Sequence, residues 1–155
     1  MPLTNPGVFN IVKGKWRYYC ELPGTDDSIV FVIIKAPTQA DDLMNNFDNL
    51  ASLLAQNPEA DFVGYVRKEV NVTGVSGVNI IQNNTTNAVD VDAPDQTWGA
   101  AQPANALGGM IVAYKPTATS TDPDYIPLFY FPYVGTTNGS DLIATVHANG
   151  LAGDT

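Results

Sequence analysis

A chain of 155 residues is one domain's worth of sequence, long enough to bury roughly two-thirds of its unfolded surface without help from disulfides or metals. Seven basic against sixteen acidic side chains give a formal charge of −9, a field that repels phosphate backbones and anionic lipids, so nucleic-acid and membrane-surface partners are disfavoured. The single cysteine, Cys20, excludes an internal disulfide framework, and the longest apolar run, residues 29–34, is too short to span a bilayer.

Pro2, Asn5 and Pro6 open the chain where a signal peptide would need a basic start and an apolar core, so synthesis in a cytoplasm is expected. Gly, Pro, Asn and Thr are plentiful and Lys, Arg and Glu scarce, which favours β structure with many turns. The prolines also make residues 1–14 an extended arm before a single β-rich domain spanning 15–155. Residues 15–20, with Trp16, Tyr18 and Tyr19, read as a strand ended by the turn chemistry of Pro23-Gly24. Residues 28–35 form the most β-branched run in the chain. They are continuously apolar rather than alternating, which predicts a central strand covered on both faces.

One amphipathic helix is predicted over residues 38–56. Thr38 can cap it, Asp41 stands three residues on, and Leu43, Met44, Phe47, Leu50, Ala51 and Leu54 recur at spacings of three and four before Asn57-Pro58 stops it. From Phe62 to Val72 the pattern returns to β, with a bulge expected near Gly64. Residues 78–82 read as a short strand. Val89-Asp-Val-Asp92 alternates as an edge strand would, and residues 95–100 are expected to extend it past Pro94.

Residues 109–115 form a further strand, and 116–124 a small, polar, exposed and mobile loop. Pro127 and Pro132 cannot donate to a ladder, so the strand from Ile126 must lie at an edge or carry bulges. Its aromatics, Phe129, Tyr130, Phe131 and Tyr133, together with Trp16 and Tyr18, are the candidate interface residues. Thr136-Thr-Asn-Gly139 supplies a turn into a closing strand over 141–147.

Catalytic chemistry has little to stand on. His147 is the only histidine, with no second one to share a transition metal, and no Gly-x-Ser-x-Gly elbow guides a serine triad. Asp90, Asp92 and Asp95 offer oxygen ligands to a hard cation, but they lack the glycine and distal glutamate of an EF-hand loop and read as a solvated acidic edge. No catalytic, cofactor-binding or metal residues are therefore assigned, and no enzyme activity is expected.

In the last third, Asp95-Gln-Thr-Trp98, Ile111-Val-Ala-Tyr-Lys115, Ile126-Pro-Leu128 and Thr137-Asn-Gly-Ser-Asp141-Leu-Ile follow one another in an order that resembles a group of small tailed-bacteriophage virion proteins. That resemblance implies a structural component of the particle. Its foremost form is a capsid decoration or cement protein bound to the outer capsid surface, with the major capsid protein as partner and a homo-oligomer, a trimer foremost, as its assembly. The implied fold is an antiparallel β-sandwich or barrel-like domain carrying one helix. The alternative is a tail- or fibre-associated module that binds host glycan.

Overall fold

A computed structural model of the chain describes residues 2–3, 7–9, 26–71, 79–83, 88–102, 105–146 and 152–154. The molecule is mainly β. Its strands are β1 (Pro2–Leu3), β2 (Gly7–Val8), β3 (Ser28–Lys35), β4 (Lys68–Asn71), β5 (Asn79–Asn83), β6 (Ala88–Asp92), β7 (Gln96–Trp98), β8 (Ala106–Lys115), β9 (Ile126–Thr136), β10 (Leu142–Val146) and β11 (Ala152–Asp154). They make three open sheets: a five-stranded one in the order β2-β9-β8-β3-β4, and two of three strands, β1-β10-β7 and β11-β6-β5. Every pairing is antiparallel except that of β1 with β10. The described strands close no barrel.

The long apolar run behaves as its composition demands. β3 is buried along its length up to Lys35, which is only partly exposed, because both of its edges and both of its faces are occupied. β8 takes one edge. On the other, β4 pairs with Ser28 to Phe31, and residues 58–60 take over beyond it, with Ala60 donating to the Ile33 carbonyl and Lys35 donating to that of Pro58. The Ile33 N–H, past the end of β4, is satisfied by the Tyr65 hydroxyl at 3.1 Å.

Strand alternation sorts the core of this sheet into two faces. Ile29, Phe31, Ile33, Met110, Val112, Phe129 and Phe131 share one face, as the β3-β8-β9 register requires. Lys68 lies opposite Phe31 on that face, with its ammonium 5.9 Å from the Trp98 ring centroid, so β7 and β10 pack there as the second layer of a sandwich. In that layer Gln96, Trp98 and Ala144 point inward and buried, while Thr97 and Ile143 point outward. Val30, Val32, Ile34, Ile111 and Tyr130 share the opposite face. The Tyr130 hydroxyl there meets the Thr38 hydroxyl at 3.2 Å and donates to the Gly108 carbonyl at 3.2 Å. Gly109 has no side chain for a reason: a Cβ there would sit 2.5 Å from the Tyr130 ring and 2.9 Å from the Phe131 carbonyl.

The single helix expected over 38–56 is two short ones, α1 (Asp41–Met44) and α2 (Leu50–Gln56). The intervening asparagines and Asp48 are residue types that favour caps and turns over helix interiors. Asn49 then starts afresh as an N-cap, accepting from the Ser52 N–H at 2.9 Å. Met44 and Leu50 are fully buried as the spacing predicted, but Leu43 is 53% exposed, and Leu53, outside the predicted stripe, is fully buried while Leu54 is half-buried. Asn57, also fully buried, closes α2 by donating to the Leu53 carbonyl while accepting from the Gln39 N–H.

Several expectations change. Phe62 to Tyr65 is a turn, closed by Tyr65 N–H to the Phe62 carbonyl, with Gly64 at φ +88°; the strand begins only at Lys68. β6 is the middle strand of its sheet, not an edge, since β5 and β11 flank it. Pro94 ends it, and residues 96–98 join a different sheet. The turn at 137–141 does not fold β10 back on β9 as a hairpin but carries the chain from one sheet to another. Of the N-terminal residues described, Pro2 and Leu3 pair with β10, Gly7 and Val8 pair with β9, and Phe9 is fully buried.

The loop at 116–124 is exposed but tied down. Thr117 and Ser120 bond each other, Thr121 and Asp124 form a capping box on a short 3-10 turn, and Arg67 grips Asp122. At the nearby β4 edge, burial pushes the Glu69 carboxyl up. The Ser28 hydroxyl and the Lys115 ammonium outweigh it and hold the group below its ordinary value of 4.5. A carboxyl lowered by folding stabilises above its unfolded pKa and loses that contribution as pH falls through the folded one. Wild type is therefore expected to exceed Glu69→Gln by about 0.2–1 kcal/mol at neutral pH, the range of a screened surface pair. In urea titrations across pH, that margin should vanish in acid below the ordinary glutamate range; a margin independent of pH would contradict the assignment.

Candidate functional site

The strand Ile126–Thr136 was expected to carry an exposed aromatic interface, and the structure corrects this. Phe129, Tyr130 and Phe131 are 0%, 2% and 2% exposed and belong to the core, because both faces of the sheet are covered there. Tyr133 alone of the four reaches the surface, half-buried. Trp16 and Tyr18 lie outside the described residues, as do Cys20 and His147.

Prolines decide where Tyr133 points. β9 carries one extra residue against β8 at two places, between its pairings at Gly135 and Pro132, and between those at Phe129 and Pro127. Each proline lacks the N–H that regular pairing would use, and a bulge absorbs the defect. The first bulge contains Tyr133 and Val134. It turns Val134 into solvent, at 89% exposed, and lays the Tyr133 ring across Gly135.

Beside Tyr133 two irregular segments are zipped together. Ala101 donates to the Ser140 carbonyl at 3.1 Å and Gly139 to that of Ala101 at 2.7 Å; Thr137 donates to Asn105 at 2.9 Å. The Thr137 hydroxyl accepts from the Asn105 N–H and donates to the Gln102 carbonyl. Asp141 Oδ1 accepts from the N–H of Ala100, a residue held at φ +46°. Asn138 Oδ1 accepts from the Ser140 N–H at 3.0 Å, which makes the local turn, and Gly139 completes it at φ +91°.

These segments and the end of β9 enclose a cleft of about 160 Å³, lined by Ala101, Leu107, Tyr133, Thr136, Thr137, Asn138, Ser140, Asp141 and Leu142. Sequence reading assigned the turn residues only a connecting role. The signal that they do more is three-dimensional, since it depends on a bulge and on a partner segment more than thirty residues upstream.

A second polar cluster is structural in character. Arg67 donates from Nε and Nη2 to the two oxygens of Glu59, at 2.8 and 2.7 Å, and from Nη1 and Nη2 to the two oxygens of Asp122. Those bonds, first to Asp122 and then to Glu59, keep the guanidinium charged even more firmly than usual. Burial, with Glu59 adjacent, pushes the Tyr65 hydroxyl far above its ordinary value, so it stays protonated and donates to Glu59 at 2.7 Å. Each group is fully committed to its neighbours.

Of the acidic trio, Asp95 accepts from the Val146 N–H at 2.8 Å and so anchors a strand end, and Asp92 is half-buried. The Asp90 side chain lies outside the described ones. Among the described residues no three His, Cys, Asp or Glu side chains converge as a metal centre would require, and no helix is long and apolar enough to cross a membrane. No protein-family model matches the chain, and neither do any curated protein or solved structure.

Proposed function

We propose that the chain is a structural component of a tailed-phage particle, a decoration protein that binds the outer surface of the capsid and stabilises it. The observation that carries this reading is how the four segments bearing the resemblance fit together. The Asp95-to-Trp98 segment pairs with the strand that follows Asp141, and Ile111 to Lys115 pairs with the strand begun by Ile126. The two pairs pack as layers on one core.

Charge supports an exterior position, since −9 is ill suited to a DNA-facing wall. With Phe129, Tyr130 and Phe131 buried, the contacts to the major capsid protein fall to exposed apolar side chains on this acidic surface: Val63 and Val66 before β4, and Val134 at the bulge. Association as a homo-oligomer, a trimer foremost, would repeat them around a symmetry axis.

The test is addition of the purified protein to expanded capsids stripped of surface proteins. Saturable binding in fixed ratio to the capsid subunits, with a higher shell disruption temperature, is the expected result. Failure to bind any shell, or labelling that places the protein on the tail, would remove the proposal.

A further inference from the structure

The cleft beside Tyr133 has the chemistry of a binding site rather than of a packing defect. One side is apolar, formed by Leu107 and Leu142. The rest is polar and not fully committed. Asn138 uses its Oδ1 on the Ser140 N–H and keeps its amide donors, and Asp141 uses Oδ1 on Ala100 and keeps the second oxygen. Among the described residues the Tyr133 and Ser140 hydroxyls have no hydrogen-bond partner. Asn138, Ser140 and Asp141 are exposed, so their spare donors and acceptors are held by water that a ligand's hydroxyls could replace.

The chain also builds around this place. The bulge aims Tyr133, as bulges beside functional sites do. Gly135 makes room for it: a Cβ there would press on the hydroxyl end of the Tyr133 ring and push the ring from this position.

The lining selects the ligand class. It offers an aromatic and two leucines for an apolar surface, with hydroxyl, amide and carboxylate groups for a rim of neutral donors and acceptors. It contains no cation, and the protein's net charge of −9 repels anions, which disfavours phosphates, nucleotides and acidic sugars. The volume of about 160 Å³ lies below the roughly 300 Å³ at which drug-sized pockets begin, which suits a single ring rather than a peptide. We propose that this cleft binds one neutral pyranose residue, with the C–H face of the sugar on Tyr133 and its hydroxyls on Asn138, Ser140 and Asp141. Such a site does not depend on where in a particle the protein is carried.

Amide NMR titrations of the full chain test it, with methyl β-D-glucopyranoside, methyl β-D-galactopyranoside and N-acetylglucosamine as probes and glucuronate and glycerol as controls, each to about 20 mM, the weak end of the affinity scale. The expected result is a saturable shift of the amides of residues 137–142 by at least one neutral pyranose and about tenfold weaker binding of glucuronate. Tyr133→Ala and Gly135→Ala should each weaken the bound sugar about tenfold or more, or about 1.4 kcal/mol. Should Tyr133→Ala not fold, Asp141→Asn decides, because it retains the oxygen that holds Ala100. No saturable shift, shifts confined to other residues, equal shifts with glycerol, or full affinity in the folded variants would each overturn the inference.

Discussion

Replacing Trp98 by alanine is expected to cost about 3–5 kcal/mol, a large part of the stability a domain of this size possesses. The indole is 1% exposed and belongs to the layer formed by β7 and β10. Its Nε1–H donates to the Val66 carbonyl at 2.7 Å, and the Lys68 ammonium lies over its ring, so one side chain ties the second layer to the approach to β4. Truncation removes that area, the hydrogen bond and the cation contact, and leaves a cavity where two sheets meet. At about 2–4 °C per kcal/mol, the melting temperature should fall by roughly 10 °C. Trp98→Phe separates the contributions. It keeps most of the apolar volume and loses the donor, and because Val66 is itself exposed its carbonyl is within reach of water, so about 1 kcal/mol is expected. Urea denaturation reads both. A wild-type midpoint for Trp98→Ala would mean that the second layer does not help hold the domain together.

Arg67→Ala should be the next most damaging change, at about 3 kcal/mol, the low end for breaking a buried ion pair because the side chains remain about a quarter to a third exposed. Arg67 stands between a carboxylate that follows α2 and one in the 3-10 turn before β9. Without it Glu59 and Asp122 face each other uncompensated, and Tyr65 keeps a partner whose charge is no longer balanced. The cost lies in the stranded charges more than in the lost bonds. Glu59→Gln and Asp122→Asn added to Arg67→Ala should therefore recover part of the stability. Equal loss in the single and triple variants would show that the guanidinium acts by packing alone.

The β class was legible because composition and patterning agree. Residues 28–35 could be placed inside a sheet because a continuous apolar run has no solvent face. The bulges of β9 could be foreseen from Pro127 and Pro132, since a missing N–H is a property of the residue itself. Exposure was not legible in the same strand. Four aromatics within five residues can be a surface stripe or a doubly covered core. What decides is the presence of α2 on one side and of β7 and β10 on the other, which no local pattern records.

The helix was overextended for a related reason. The spacing of three and four continues through residues 45–49, but those asparagines are weak helix formers that favour caps and turns, and Asn49 caps a new helix. Likewise β6 reads as an edge because its alternation is clean, while the strand that covers it, β11, comes from sixty residues further on. The cleft was the least legible feature. Tyr133, Asn138 and Asp141 look like a strand residue and two turn residues, and only the bulge and the upstream residues 100–102 and 105 bring them to one place.

The way β1 completes the small sheet bears on how the molecule is made. Pro2 and Leu3 run parallel to Thr145 and Val146, so the sheet of β1, β10 and β7 joins residues more than 140 positions apart. Until residues 142–146 are in place, β7 lacks its neighbour, β1 has no edge to join, and Trp98 has no finished layer to belong to. Folding then has to close very long loops, which is slow for a domain of this size. Chains cut short before β10 should be readily cleaved by protease near Trp98, and chains that contain β10 should not.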